Sequence, residues 1–204
     1  LLGWLEIVKV RGKPTTFGSY ESMVKQTIEP YFRNKPITLK DLEARHIQQF
    51  YSEKLWTVKP NSVIHYHAVI HQALKYAMKT DLVAQNVAMK VDRPKKNDFQ
   101  PVFLDAAELQ HLFEVVKGTK LELPVLVAAF YGLRRGEVLG LKWDAIDFDR
   151  GTLTIKRTVT SVNVGGKTQI IEQESAKTKS SMRTLPLVGS QMFNSSLQRV
   201  DLPA

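Results

Sequence analysis

The residues with the clearest capacity for chemistry are Gly132-Leu133-Arg134-Arg135-Gly136-Glu137. They follow an apolar run ending at Leu133 and open a short helix. An arginine at a helix start sits beside backbone N–H groups without intrahelical partners, a setting that favours an anion. Its guanidinium adds a planar fork of donors that fits phosphate oxygens. Two arginines in a turn are, taken alone, more often surface charges of little energetic weight. His65, His67 and His71 raise a second chemistry, because His67 and His71 are four residues apart on a helix. No third ligand stands near them in sequence, so no metal is expected.

A third pattern is a polar face on the helix expected after Lys59-Pro60-Asn61-Ser62 and ending at about Lys79. Val63, Ile70, Leu74, Ala77 and Met78 mark its buried side, with His67 as a core histidine. Asn61, Ser62, His65, Gln72, Lys75 and Lys79 fall at its start or on the opposite face. Lysines suit phosphates, while amide and imidazole groups suit base edges. The plain alternative is a solvated face. Lys13, Thr15, Thr16, Ser19 and Lys25 make a similar stripe, in which the two threonines could equally be helix caps. Arg93, Lys95 and Lys96 would cross a phosphate backbone; an ordinary charged linker accounts for them equally well.

The 204 residues carry a net charge of +9, and 43% are hydrophobic, enough for a core. The basic excess sits mainly in the first hundred residues, as in a nucleic-acid-binding domain. The absence of cysteine excludes disulfides, thiolate metal sites and a cysteine nucleophile. Neither a membrane span nor a signal peptide is expected, and the expected compartment is the cytoplasm.

The elements that must position these residues follow from periodicity. Helices are expected over 1–10, from Thr15 or Thr16 to Ile28 with Pro30 ending it, from about Asp41 to Leu55, and from about Ser62 to Lys79. Leu1, Leu2, Leu5 and Val8 line the first, and Ile47, Phe50, Tyr51 and Leu55 the third. Residues 1–92 form one helical domain, 93–101 a basic linker and 102–204 a second domain. In the latter, Asp105 caps a helix to Val116, and the apolar 121–130 helix is expected to be buried on most sides. Residues 152–159, 168–172 and 183–187 then alternate as strands, with Gly165-Gly166-Lys167 as a turn and Pro186 at an edge. The fold class is α+β, with a three-stranded antiparallel sheet.

AAFYGLRRGEVLGLKWDAIDFDRGTLTI resembles the first catalytic-arginine segment of the tyrosine recombinases, the phage integrases, at Gly132, Arg134, Glu137, Leu141, Trp143, Ile146 and Asp147. AKTKSSMRTLPL (176–187) is similar to the family's lysine hairpin. TTFGSYESMVKQTIEPYF, HAVIHQALKYAM and NVAMKV look most like integrases of Gram-positive phages and conjugative transposons. The resemblance implies a SAM-like core-binding domain of four to five helices, followed by the first half of a catalytic domain.

It also implies roles. Arg134 would hold the scissile phosphate and stabilise a phosphorane. Lys177 would be general acid toward the leaving 5′-hydroxyl. Glu137 would orient neighbours of Arg134, and Trp143 and Ile146 would be core. Lys179 and Arg183 are assigned to DNA contact beside Lys177. The partner implied is double-stranded DNA, bound by the full-length protein as a homo-oligomer, with no cofactor and no membrane. No His follows His111 and no Tyr follows Tyr131. The expectation is therefore a truncated integrase, inactive alone for want of its nucleophile; the alternative is a degenerate remnant that only binds DNA.

Overall fold

The computed structural model describes residues 1–174 and 182–187. Apolar residues at three- and four-residue intervals fold the first hundred into α1 (Leu2–Arg11), α2 (Pro14–Met23), α3 (Glu29–Arg33), α4 (Ala44–Leu55) and α5 (Pro60–Lys79). Their shared core holds Trp4, Leu5, Phe17, Val24, Ile28, Ile47, Phe50, Tyr51, Val63, Val69, Ile70 and Leu74. Phe50 lies at its centre, against the rings of Tyr31, Phe32, Tyr51 and Tyr66. Leu1, Leu2, Leu55 and Met78, expected on buried faces, are instead exposed. Trp4 is buried and stacks on Tyr20, taking the place expected for Leu1 and Leu2. On α5 the buried side is completed by Val69 and Ala73.

Two helix boundaries differ from expectation for clear reasons. Lys13 is the N-cap of α2 and Pro14 takes its first position, so Thr15 and Thr16 lie inside the helix. Proline suits that position because it has no N–H to leave unpaired. Pro30 does not stop the chain's helical course. Residues Val24–Ile28 widen into a π turn, and Pro30 becomes an opening residue of α3. Such a bulge relieves the missing N–H and the ring clash of a proline within a helix. Farther on, Asn86 closes the unit: its side chain donates to the His71 carbonyl (3.0 Å) and accepts from Ala88 N–H (3.1 Å).

Residues 1–100 form one compact unit, which also takes in 162–169; the second comprises 101–161 with the described residues from 170 onward. Within the first unit, Gly165 N–H donates to Glu21 Oε2 at 2.9 Å. Val162 and Asn163 come so close to Gly18 that a Cβ there would clash with the Val162 side chain and the Asn163 carbonyl oxygen.

The second unit begins with α6 (Ala106–Val116), opened by a reciprocal Asp105–Glu108 capping box. Next come α7 (Glu122–Tyr131) and α8 (Arg135–Leu139). Then follow β1 (Ile146–Asp147), β2 (Thr152–Ile155), β3 (Thr158–Val164), β4 (Lys167–Gln173) and β5 (Arg183–Pro186). The class is α+β, as expected, but the strands divide differently. The three-stranded sheet has the order β1-β2-β5, all antiparallel, while β3 and β4 form a separate pair. The single strand expected over 152–159 breaks at Lys156-Arg157, where Arg157 turns to bind Asp144 at 2.8 and 2.9 Å. Pro186 does lie on an edge strand.

The core of this unit is Val127, Leu133, Ala145, Leu153 and Ile155. Contrary to expectation, Val127 is the one fully buried residue of α7 among those described, and Phe130 is exposed. Trp143 is 44% exposed, so it is not a core residue of the described unit. The described elements cover one side of α7, and an apolar run buries only the side that meets a partner.

Candidate nucleic-acid interface

The sequence-assigned residues divide between the two units. In the first, Asn61, His65, Gln72, Lys75 and Lys79 recur along α5 with Ala68 among them, each step three or four residues. That spacing sets them on one stripe of the helix. His65, Gln72, Lys75 and Lys79 are exposed, Asn61 and Ser62 half-buried. Gln72 Nε2 donates to Tyr20 Oη at 3.3 Å, joining the stripe to α2.

On α2 and its cap the residues are less free. Lys13 is exposed and Thr16 half-buried. The Ser19 hydroxyl donates back to the Thr15 carbonyl at 2.9 Å. Lys25 is paired with Glu21 at 2.6 Å. That pairing, with Gly165 N–H, holds the Glu21 carboxyl below the ordinary carboxylate range. Lys95 and Lys96 are exposed in a stretch without regular structure.

His67 is a half-buried histidine, not a ligand of any described cluster. Its Nδ1 is 2.9 Å from Tyr51 Oη, and its ring stacks on His71. Burial, then the positive charge of Arg93, lowers its pKa below the ordinary histidine value. Burial raises that of Tyr51. No group of three or more His, Cys, Asp or Glu residues suited to a metal occurs among the described residues.

In the second unit the local sequence builds a rigid mount for Arg134. Gly132 ends α7 in the left-handed conformation (φ 60°), which glycine adopts without a Cβ penalty. Leu133 is buried and pins the turn. Arg134 is then the N-cap of α8, with Glu137 three residues on. Glu137 Oε2 accepts from Arg134 N–H at 3.0 Å, and Oε1 accepts from Arg134 Nη1 at 3.1 Å. The Arg134 N–H is therefore taken by Glu137. What faces outward is the guanidinium, whose side chain is 77% exposed while that of Glu137 is 2% exposed.

Arg183, at the start of β5, also turns onto Glu137. Its Nη1 and Nη2 donate to Oε1 and Oε2 at 3.2 and 2.9 Å. Sequence reasoning assigned Arg183 to DNA, and no sequence signal joins it to a carboxylate 46 residues away. With Arg183 as the main cause, and the Arg134 N–H and guanidinium assisting, the Glu137 pKa falls to about 2 against the opposing effect of burial. Gly140 keeps α8 close: a Cβ there would lie 2.8 Å from the Arg157 carbonyl oxygen. Lys177 and Lys179 lie outside the described residues.

Residues 2–55 match the family of phage integrase N-terminal SAM-like domains. The chain is 28% identical, over 92% of its length, to the tyrosine recombinase XerC-like protein of Caldanaerobacter subterraneus subsp. tengcongensis. Over most of its length the chain is similar to a tyrosine recombinase. It is also 26% identical over 127 residues to the prophage integrase IntR of Escherichia coli (strain K12). The recombinase-like chain spans about half the first relative (51%) and 29% of the second.

Its fold is shared with solved integrases. The Tn1549 transposon integrase, in a complex with circular intermediate DNA, matches with a TM-score of 0.71 at 15% identity, over 98% of this chain and 65% of that one. A lambda integrase dimer bound to a COC′ core site matches with a TM-score of 0.66 at 20% identity, over 82% and 59%. No described helix of the recombinase-like chain is long and apolar enough to cross a membrane.

Proposed function

We propose that this chain is the DNA-holding part of a site-specific tyrosine recombinase that integrates or excises mobile DNA. The observation that carries the reading is the mount of Arg134: an outward guanidinium fixed from behind by a buried, ionised carboxylate. Such preorganised positive charge is what a phosphoryl transfer requires, because charge grows on the equatorial oxygens as phosphorus becomes five-coordinate. In the proposed reaction a tyrosine Oη, having given its proton to water, attacks the scissile phosphorus and forms a 3′-phosphotyrosyl bond. The P–O bond to the 5′-oxygen breaks, and that oxygen takes a proton from Lys177. Religation reverses these steps on a new 5′-hydroxyl.

The α5 stripe supplies the duplex contact, with Lys75 and Lys79 on phosphates and His65 and Gln72 at base edges. The 204 residues hold no tyrosine after Tyr131 and no histidine after His111. In this reading the share of these residues is binding and phosphate positioning.

The test is fluorescence anisotropy of the 204-residue chain with a labelled duplex across a salt series. Affinity that falls linearly in log–log form supports the reading. Absence of binding at low salt overturns it.

A further inference from the structure

We propose that Arg183 is a positioning residue, which sets the Arg134 guanidinium through Glu137 and does not contact DNA. The proposal rests on Arg134 as the phosphate holder, and it is carried by how the Glu137 carboxylate is filled. Each of its oxygens accepts twice: Oε1 from Arg134 Nη1 and Arg183 Nη1, Oε2 from Arg134 N–H and Arg183 Nη2. Four bonds use the full acceptor capacity of a carboxylate.

The two arginines are used unequally. Arg183 commits two guanidinium nitrogens, and its side chain is 30% exposed. Arg134 commits one guanidinium nitrogen and is 77% exposed. Its Nε and Nη2 have no partner among the described residues. A buried carboxylate needs compensation. Because Arg183 supplies most of it, Arg134 is tethered at one nitrogen and leaves the rest of its fork for an anion. Without Arg183, Glu137 loses most of its compensation and takes up a proton more readily, so the tether on Arg134 loosens and its fork, still charged and exposed, is no longer held in one orientation.

The placement of Arg183 gives this consequence in the fold. It opens β5 and pairs with Ile155 of the buried strand β2. It also stands six residues after Lys177. A shift of that strand is thereby transmitted to Arg134 through one carboxylate.

The test is side-chain NMR of the 204-residue chain, labelled with ¹⁵N in arginine and ¹³C in glutamate carboxyls, comparing wild type, Arg183→Gln and Arg183→Lys. Duplex binding is measured across a salt series in parallel. In Arg183→Gln the separate Arg134 Nη signals should merge as the tether loosens, and the Glu137 midpoint should climb from about 2 toward the ordinary carboxylate range. The salt slope of DNA binding should stay as in wild type, whereas removal of a phosphate-binding group would reduce it by about one.

Unchanged Arg134 signals in Arg183→Gln, or a slope lowered by about one, would overturn the proposal. Should Arg183→Gln fail to fold, Arg183→Lys decides: a folded protein with altered Arg134 signals supports positioning, and unchanged signals overturn it. Loss of the fold in both variants would make the role structural and also overturn it. If wild type binds no duplex, the proposed function fails, yet the Arg134 signals still decide the role of Arg183.

Discussion

The two units use apolar sequence differently. In the first, helices α1 to α5 bring their apolar faces onto one another, and Phe50, Ile47, Val63 and Val69 are completely buried. In the second, α7 is the more apolar helix, yet Val127 is its one buried residue among those described. Leu121, Phe130, Leu139, Trp143 and Phe148 are exposed there. The lesson is that periodicity tells which face of a helix prefers burial, while burial itself needs a partner surface. Beside its small core the second unit has a polar centre, in which Glu137 gathers Arg134 and Arg183.

This contrast predicts different responses to substitution. Phe50→Ala strikes the closed aromatic core and should cost about 3–5 kcal/mol. Chemical denaturation followed by amide exchange in α4 and α5 checks it; a loss below about 1 kcal/mol would mean that the first core is much looser than its burial implies.

Glu137→Gln removes the polar centre of the second unit. The Glu137 pKa lies near 2 in the folded chain, below its ordinary value of 4.5. The stabilisation is complete above pH 4.5 and is lost as pH falls from there toward 2. The shift corresponds to about 3 kcal/mol at neutral pH. Glu137→Gln should therefore lower stability at neutral pH and flatten the acid limb below pH 4.5, as read from Trp143 fluorescence. An acid limb of unchanged steepness would place the acid sensitivity elsewhere.

Gly18→Ala should cost about 1–3 kcal/mol, since the new methyl group meets Val162 and the Asn163 carbonyl within the first unit. Thermal melting measures this, and a neutral result would mean that 162–169 yields readily.

Replacing Lys75 and Lys79 with glutamine should leave stability nearly unchanged. The salt slope of DNA binding should fall by about one for each phosphate that is no longer neutralised. An unaltered slope would make the α5 stripe a merely solvated face.

The smallest effect concerns His67, whose folded pKa lies below its ordinary value because of burial and Arg93. Its neutral form fits the fold, so stability is complete above about pH 6.5 and declines as pH falls through that value. His67→Gln should remove that decline while the limb below pH 4.5 persists. A decline that survives the substitution would exclude His67 as its source.

Much of this architecture was legible in the residues. Asp105 announced a helix cap, Gly132 a helix end and Gly165-Gly166 a turn, because these depend on neighbours within a few positions. The polar stripe of α5 was legible for the same reason, since helical spacing alone aligns it. The recombinase likeness pointed to Arg134 as a phosphate holder and to Glu137 as a structural residue near it.

Long-range geometry was not legible. The sequence could not say that Pro30 would be absorbed by a π turn, that Trp4 would displace Leu1 and Leu2 from the core, or that α7 would stay half-covered. Nor could it show that Arg183 pairs with Glu137. Each outcome depends on which surfaces meet after folding. Arg183 reaches the carboxylate because β5 pairs with β2, a register set by tertiary packing. Sequence by itself determined the local elements, the charged stripe and the recombinase likeness; tertiary structure decided which charges stay free, because a guanidinium held by a buried carboxylate has fewer donors left to offer.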